Sequence, residues 1–252
     1  MILLSLFMAF SVFAQQSKPQ MKSDQAGEMA AKSSMPTVDQ ILDKYVQAIG
    51  GKAAIEKHTS RIMKGAFDVP AMGLSGSAEI YAKAPDKSLA VITIPGFGVV
   101  REGFDGTIGW AEDPQTGLRE KSGAELATTK LDAYFHRELN IKKLYPKIML
   151  KGEDKVGDRA AYVLEATPPE GDPEKWYFDV KNGFLLRTDA ERESPFGKIP
   201  IEFYFDNYKE VDGVKLPFSL RQVAPGFAAN LTIKEVTHGE AIDDGKFKKP
   251  GS

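Results

Sequence analysis

The chain contains no cysteine in its 252 residues. It can therefore form no disulfide, no thiolate metal site, no thioether link to haem and no lipid-modified N-terminal cysteine. Its 33 basic side chains are outnumbered by 35 acidic ones, for a net charge of −2, which removes the electrostatic case for a nucleic-acid partner. With 42% hydrophobic residues, the composition is typical of a globular protein with a substantial core.

The sequence also lacks a hydrophobic run long enough to cross a bilayer. The apolar run at residues 1–14 falls short of the ~20 residues that a spanning helix needs. It ends with small side chains at Val12 and Ala14, which predicts a signal peptide cleaved before Gln15. The usual basic start is missing, so a late start, an uncleaved signal and a buried N-terminal strand remain alternatives. Residues 15–36 have no apolar period and are predicted to be a disordered spacer.

Recognisable catalytic and metal-binding patterns are scarce. The three histidines, His58, His136 and His238, are separated by most of the chain, and none has the spacing of a zinc-protease motif. Asp179 and Asp206 each follow an aromatic strand residue, and we interpret them as solvent-facing carboxylates rather than as an acid–base pair. We therefore expect no catalytic residue, no metal and no cofactor. An enzyme that uses an unrecognised site remains an alternative.

The folded part is predicted to start with an amphipathic helix. Thr37 and Gln40 have the spacing of a capping box, and the apolar residues that follow recur at helical spacing until Gly50-Gly51, a usual helix stop. These apolar residues are Val38, Ile41, Leu42, Tyr45, Val46 and Ile49. A short second helical piece is expected over residues 52–58.

A second helical region, residues 122–145, interrupts the strands that make up most of the chain. Ser122 and Glu125 have capping-box spacing, and the helix that they predict has an apolar face and a charged face. The apolar face contains Ala127, Leu131, Tyr134 and Phe135, and the charged face contains Lys130, Asp132 and Arg137. A less regular piece follows over residues 139–145. Because this region interrupts a meander of strands, we predict that it lies across the concave face of the sheet as a lid.

Alternating apolar and polar residues predict strands through the rest of the chain. About six strands are expected over residues 61–121 and seven more after Pro146. An antiparallel sheet of about a dozen strands curls into a barrel or half-barrel, or splits into two layers. We predict a mainly β (α+β) fold: a single curled antiparallel sheet forming an incomplete barrel, with an N-terminal helix and a helical lid. Residues 89–94 are apolar on both faces, which predicts a strand covered on both sides.

The pair Asn182-Gly183 is a strong hairpin signal, because both residues tolerate the positive φ angles of a tight turn. The strand before this pair has two different faces. One face contains Trp176, Phe178 and Val180, and the other contains Tyr177, Asp179 and Lys181. The first face is predicted to be buried and the second to be at least half exposed.

Several segments of the folded part resemble segments of a known family. They are residues 45–52 (YVQAIGGK), Phe104-Asp105-Gly106 with Trp110, Trp176-Tyr177-Phe178-Asp179, and residues 208–217 (YKEVDGVKLP). Together with the predicted export signal, these segments resemble the bacterial outer-membrane lipoprotein-sorting proteins, the LolA-like superfamily. The resemblance extends over residues 37–250, which we interpret as one domain.

The resemblance implies an incomplete antiparallel barrel whose helical lid covers an apolar cavity. It also implies a periplasmic protein that carries acyl chains of lipoproteins or other lipids. The chain departs from the family in its greater length and in the spacer before the fold. The family's carrier fastens its lid with an arginine, for which Arg61 and Arg101 are the candidates here. Without a cysteine, the chain does not fit the lipid-anchored receptor of the same system.

Aromatic residues are abundant, with 15 Phe, 8 Tyr and 2 Trp. They either fill an ordinary core or line a cavity left by a wide curled sheet. The candidate residues of the cavity and lid are Ile41, Tyr45, Ile92, Trp110, Ala127, Leu131, Tyr134, Phe135, Trp176, Phe178, Phe203 and Phe205. We expect a monomeric periplasmic carrier or binding protein for lipid or lipoprotein acyl chains, with an inner- or outer-membrane envelope protein as a further candidate partner. The alternative is a structural or regulatory envelope module of the same fold that binds a protein.

Overall fold

The computed structural model describes residues 35–194 and 197–251. The predicted signal peptide and almost all of the predicted spacer lie outside these residues. The α-helices of the described part are α1 Val38–Ala48, α2 Lys52–Glu56, α3 Gly123–Ala133 and α4 Ile141–Leu144, and short 3-10 helices lie at Pro70–Met72, Arg137–Leu139 and Asp244–Phe247. The strands are β1 Ser60–Val69, β2 Leu74–Lys83, β3 Lys87–Ile94, β4 Gly98–Phe104, β5 Gly109–Asp113, β6 Gly117–Glu120, β7 Lys147–Val156, β8 Arg159–Thr167, β9 Glu174–Asp179, β10 Leu185–Ser194, β11 Gly197–Val211, β12 Val214–Ala224 and β13 Phe227–His238.

These 13 strands form one antiparallel sheet in the order β6-β5-β4-β3-β2-β1-β13-β12-β11-β10-β9-β8-β7. Pairing of β1 with β13, in which Arg61 lies opposite His238, joins the first meander (β1 to β6) to the second (β7 to β13). Strands β6 and β7 are the two edges, and the sheet curls without closing into a barrel. The predicted single curled sheet is therefore confirmed, and the two-layer alternative is excluded.

Helix α1 begins with the predicted capping box. The Thr37 hydroxyl accepts a hydrogen bond from the Gln40 amide (3.2 Å), and the Gln40 side chain accepts one from the Thr37 amide (2.8 Å). The helix stops before Gly50, whose φ is +123° and where a Cβ would lie 2.2 Å from a backbone oxygen of the β11–β12 turn. The amide of Lys215 donates to the Ile49 carbonyl at 2.8 Å, so the end of α1 is fastened to the second half of the sheet.

The helical insertion, residues 122–145, connects the two edge strands β6 and β7. Helix α3 contacts β4 and β5 in the first half of the sheet and β10 in the second half. It therefore crosses from one half to the other. The capping box predicted for its start does not form, since the Ser122 side chain makes no capping hydrogen bond. The Glu125 carboxylate is instead held by two hydrogen bonds from Arg119 of β6 (2.7 and 2.8 Å), which form a bidentate, charge-assisted pair.

The sheet is covered on both faces, by different parts of the chain. On the inner face, which packs against α1, Ile80 and Ile92 belong to the largest buried cluster. On the outer face, Leu89 of β3 packs with Trp110 and with Phe247 of the C-terminal segment. The prediction that residues 89–94 are covered on both sides is thus confirmed at Leu89, where the C-terminal segment is the outer cover, and is wrong at Thr93, which is exposed.

The hairpin at Asn182-Gly183 differs from its prediction in the burial of one face. Tyr177 and Asp179 are each only 5% exposed, so the expectation of a half-exposed face is wrong for these two residues and holds only for Lys181, which is exposed. Tyr177 is buried because it packs on the outer face with a small apolar cluster. The other members of that cluster are Ala161, Val163 and Leu186.

Asp179 is therefore not the solvent-facing carboxylate that the sequence predicts. It accepts hydrogen bonds from the Arg159 side chain (2.7 Å) and from the backbone amides of Lys181 (2.7 Å) and Asn182 (2.9 Å). These bonds shape the turn and satisfy a carboxylate that is out of reach of water. Asp206, by contrast, has 79% of its side chain exposed, which confirms the solvent-facing interpretation for that residue.

Candidate functional site

Seven of the twelve candidate cavity residues lie in the buried cluster of the inner face. They are Ile41 and Tyr45 on α1, and Ile92, Trp176, Phe178, Phe203 and Phe205 on the sheet. The rings of Tyr45 and Phe178 are 5.2 Å apart. Leu131 of α3 is half-buried and packs against the same cluster. The structure thus brings these eight side chains together between the sheet, α1 and α3.

The other four candidates lie outside this cluster. Ala127 and Tyr134 are half-buried in the helical insertion. Phe135 is buried at the end of the insertion's first helical segment, and its amide donates to the Pro85 carbonyl at 2.9 Å. Trp110 packs on the outer face of the sheet, on the side away from α1. The period-two pattern identified a buried face at Trp110 but not which of the two faces it was.

Replacing Trp110 with Phe is expected to lower the free energy of unfolding by about 1–3 kcal/mol. The indole Nε1 of Trp110 donates a buried 2.8 Å hydrogen bond to the Phe247 carbonyl. In the variant this buried carbonyl would be left without a donor. Urea unfolding measures this change. Hydrocarbon binding should stay at the wild-type level, since the residue faces away from α1. Weaker binding in a variant of unchanged stability would instead place Trp110 in the ligand site.

The two candidate latch arginines have different surroundings. Arg61 on β1 is buried, and its guanidinium carbon lies 5.5 Å from the centre of the Phe135 ring, so it contacts the helical insertion. Arg101 on β4 is partly exposed and pairs with Glu112 of β5 at 2.6 Å, within the sheet. The contact between Arg61 and the insertion is through an aromatic ring rather than an ion pair.

A buried polar network that the sequence analysis missed joins the helical insertion to the sheet. Arg137 hydrogen-bonds the Tyr145 hydroxyl and lies 3.5 Å from the Glu174 carboxylate of β9. The Tyr145 hydroxyl donates to Glu174 at 3.2 Å, and Arg192 of β10 donates to Glu174 at 2.9 Å. Glu174 also accepts a 3.0 Å hydrogen bond from the indole of Trp176. Glu174 is therefore the centre to which both the insertion and the sheet are bound.

The charged face predicted for the insertion is wrong at two positions. Asp132 and Arg137 are only 6% and 8% exposed, and they form an ion pair of 2.7 Å with each other. They are buried because the insertion crosses the sheet. The face that would be exposed to solvent on an ordinary surface helix therefore packs against the end of β9. The only sequence signal for the buried network was the spacing of Asp132 and Arg137, with Tyr145 at the end of the same insertion. This spacing does not predict burial unless the position of Glu174 is known.

The pKa values of the two acids of the network are shifted in opposite directions. Burial raises the pKa of Asp132, and its pairing with Arg137 only partly offsets this effect, while one of its carboxylate oxygens has no hydrogen-bond partner among the described residues. Burial also opposes ionisation of Glu174, but Arg192 and Arg137 outweigh it and lower the pKa of Glu174 below its ordinary value. Glu174 is thus the firmly ionised member of the network.

The inner face is largely filled by its own side chains. One cavity of about 30 Å³ is bordered by Tyr45, Trp176, Phe178 and Leu185, and another of about 30 Å³ is bordered by Tyr45, Arg61 and the three histidines. Sites for small-molecule ligands are typically about 300–1,000 Å³. A groove of about 930 Å³ opens between α1 and residues 138–143, but its border is partly charged. An acyl chain therefore fits on the inner face only if the helical insertion moves.

The three histidines, although far apart in sequence, meet in space. The rings of His58 and His238 stack with centres 4.1 Å apart, and His136 Nε2 lies 2.8 Å from the His58 carbonyl. Within residues 35–194 and 197–251, no group of three or more His, Asp or Glu side chains is arranged to hold a metal ion. In the same part of the chain, no helix is long and apolar enough to span a membrane.

No protein-family model matches the sequence, and no curated relative is found by sequence. Solved structures do match the fold. A DUF1329 family protein from Desulfovibrio piger superposes with a TM-score of 0.57 at 17% identity, over 84% of this chain and 97% of that protein. A LolA superfamily protein from Nitrosomonas europaea superposes with a TM-score of 0.56 at 15% identity, over 85% of this chain and 99% of that protein.

A third structure, a domain from Vibrio parahaemolyticus described as that of an outer membrane lipoprotein-sorting protein, has a TM-score of 0.53 and 12% identity, over 84% of this chain and 98% of that domain. At these identities the likeness concerns the fold. The chain therefore shares its fold with these three proteins, which is the fold that the sequence resemblance implied.

Proposed function

We propose that this chain is an exported, periplasmic binding protein that holds an acyl chain of a lipid or lipoprotein on its inner face and performs no chemistry on it. The observation that supports this proposal is an apolar face of an unclosed sheet, covered by an insertion that a polar network fastens to β9. Such a cover can leave as one piece, because its charged contacts are satisfied by water once it is free.

The energetics favour a cover that moves. Burying one CH₂ group gains ~0.8 kcal/mol, so a sheltered long acyl chain gains on the order of 10 kcal/mol. In the closed state, Leu131 occupies part of this apolar surface, and the ligand has to displace it. The cost of opening the insertion offsets part of the gain, which keeps the ligand releasable.

The small size of the interior cavities favours a second candidate function. An inner face that is filled by its own side chains, with spaces of about 30 Å³, also suits a structural or regulatory envelope module that binds a protein partner and carries no lipid. The two candidates differ in what the protein contains when it is isolated from its native envelope.

Replacing Leu131 with Asp is expected to abolish lipid retention, since the change places a carboxylate against the inner-face cluster. Native mass spectrometry of protein purified from its own envelope measures the bound lipid. The matched control is Leu118→Asp, because Leu118 is 40% exposed on the edge strand β6, and this variant should retain lipid like the wild type. Wild-type protein that is free of lipid and copurifies with a protein partner would support the second candidate, and unchanged lipid content in Leu131→Asp would remove the insertion from the mechanism.

A further inference from the structure

Arg61 differs from the other two buried arginines of the described chain. Arg137 pairs with Asp132 at 2.7 Å, and Arg192 pairs with Glu174 at 2.9 Å. Arg61 is only 7% exposed, but no carboxylate of the described residues forms an ion pair with it, and its Nε atom, like that of Arg192, is buried without a hydrogen-bond partner among those residues. Its side chain is thus a buried cation whose hydrogen-bonding capacity is not fully used.

The side chain of Arg61 points to the inner face. Arg61 lies two residues before Met63, which belongs to the inner-face cluster, and alternate residues of a strand share a face. It borders the cavity of about 30 Å³ that is also lined by His58, His136 and His238. Arg61 is therefore a cationic group at one end of the inner face, in a cavity that also contains Lys215, the three histidines and Glu138 of the insertion.

In the closed state no described carboxylate lies within ion-pair distance of Arg61, and the more distant charge of Glu138 compensates it only in part. A buried ion without a close partner is costly. Burial lowers the pKa of Arg61, even though the charge of Glu138, which also borders the cavity, acts in the opposite direction. A carboxylate or phosphate group offers the charge and the hydrogen-bond acceptors that a guanidinium binds best.

The position of Arg61 relative to the other cavity sets the orientation of a ligand. Tyr45 borders both cavities, and Trp176 and Phe178 border the one that is farther from Arg61. Phe135 belongs to the insertion and covers Arg61. When the insertion leaves, the two cavities join around Tyr45 into one surface with a cation at one end and aromatic rings at the other.

We propose that Arg61 binds the anionic headgroup, a carboxylate or a phosphate, of the acyl-chain ligand whose tail lies along Tyr45, Phe178 and Trp176. The ligand class is therefore single-chain anionic lipids. This inference rests on the proposed function, since it assigns the headgroup of the ligand that the inner face accommodates.

The test compares ligands that share a chain but differ in their headgroup. Hexadecanoate, monohexadecyl phosphate and hexadecan-1-ol are each titrated against the neutral fluorescent probe N-phenyl-1-naphthylamine bound to the full-length protein. The two anionic ligands should displace the probe at least about tenfold more tightly than the alcohol, as expected for hydrogen bonds to charged groups. Equal affinity of the three ligands would overturn the headgroup site and leave the proposed function standing, whereas failure of all three to bind would contradict both.

Variants and free anions complete the test. Arg61→Met should lose the preference for the anionic ligands while its affinity for the alcohol stays near the wild-type value, and Arg61→Lys should keep part of the preference if the Met variant does not fold. The matched control is Arg101→Met, because Arg101 is partly exposed and pairs within the sheet, and it should keep the full preference. An undiminished preference in both Arg61 variants would overturn the assignment. Displacement of hexadecanoate by inorganic phosphate at equal concentration would also overturn it, because the site would then bind free anions.

Discussion

Replacing Glu174 with Gln is expected to lower the free energy of unfolding by about 3–5 kcal/mol and to loosen the helical insertion. The change leaves Arg192 buried without its carboxylate partner and replaces one of the two acceptor oxygens, which Arg192, Tyr145 and Trp176 use, with an NH₂ group that can only donate. Urea unfolding measures the first effect. Amide hydrogen exchange of residues 123–145 measures the second, and it should speed up more than exchange in β1 and β13.

The matched control for this variant is Asp132→Asn, which should be milder because burial already disfavours the ionised form of Asp132. The pH dependence separates the two acids further. Glu174 has a lowered pKa in the folded state, so its stabilising contribution is present above the ordinary pKa of a glutamate and is lost as the pH falls through the lowered value. The raised pKa of Asp132 has the opposite effect on stability, because protonation of Asp132 favours the folded state as the pH falls. The wild type should therefore lose more stability on acidification than Glu174→Gln, and parallel acid profiles would show that Glu174 is not the ionised centre of the network.

Replacing Phe178 with Ala is expected to lower the free energy of unfolding by about 3–5 kcal/mol and to increase the affinity of the closed protein for short hydrocarbons. Phe178 is 1% exposed and borders the cavity next to Tyr45 and Trp176, so its truncation enlarges that cavity. An engineered apolar cavity of about 150 Å³ binds benzene. Calorimetric titration with benzene and urea unfolding in its presence measure the effect.

The control for Phe178→Ala is Phe247→Ala on the outer face. Phe247 is fully buried against Trp110, so its truncation should destabilise the protein to a similar extent. It should not change binding of a long-chain ligand, because it lies on the face away from α1. If Phe247→Ala, at a comparable loss of stability, weakens binding of the long-chain ligand, the assignment of the ligand to the inner face is wrong.

The parts of the fold that were predictable from the sequence depend on local signals. Thr37 and Gln40 cap α1 through bonds three residues apart, and Gly50 ends the helix through its own backbone conformation. The strands follow from alternation and from turn residues such as Asn182-Gly183. These features need no information on what lies on the far side of the sheet, so a single sequence contains them.

The parts that were not predictable depend on contacts between distant segments. Asp132 and Arg137 have the pattern of an exposed helix face, and only the crossing of the sheet by α3 buries them against Glu174. Trp110 alternates correctly along β5, but which face is inner depends on where α1 docks. Arg61 was identified as a candidate latch from the resemblance. Only the structure shows that Arg61 has no ion-pair partner among the described residues, whereas Arg137 has one.

The central claim is that a hydrocarbon reaches the inner face only when the helical insertion leaves it. The amide of Phe135, which donates to the Pro85 carbonyl at 2.9 Å in the closed state, reports this movement directly. Its hydrogen exchange should become faster when the protein is saturated with hexadecanoate, while amides in the β1–β13 pairing stay protected. Saturable binding of hexadecanoate with unchanged exchange at Phe135 would contradict the claim.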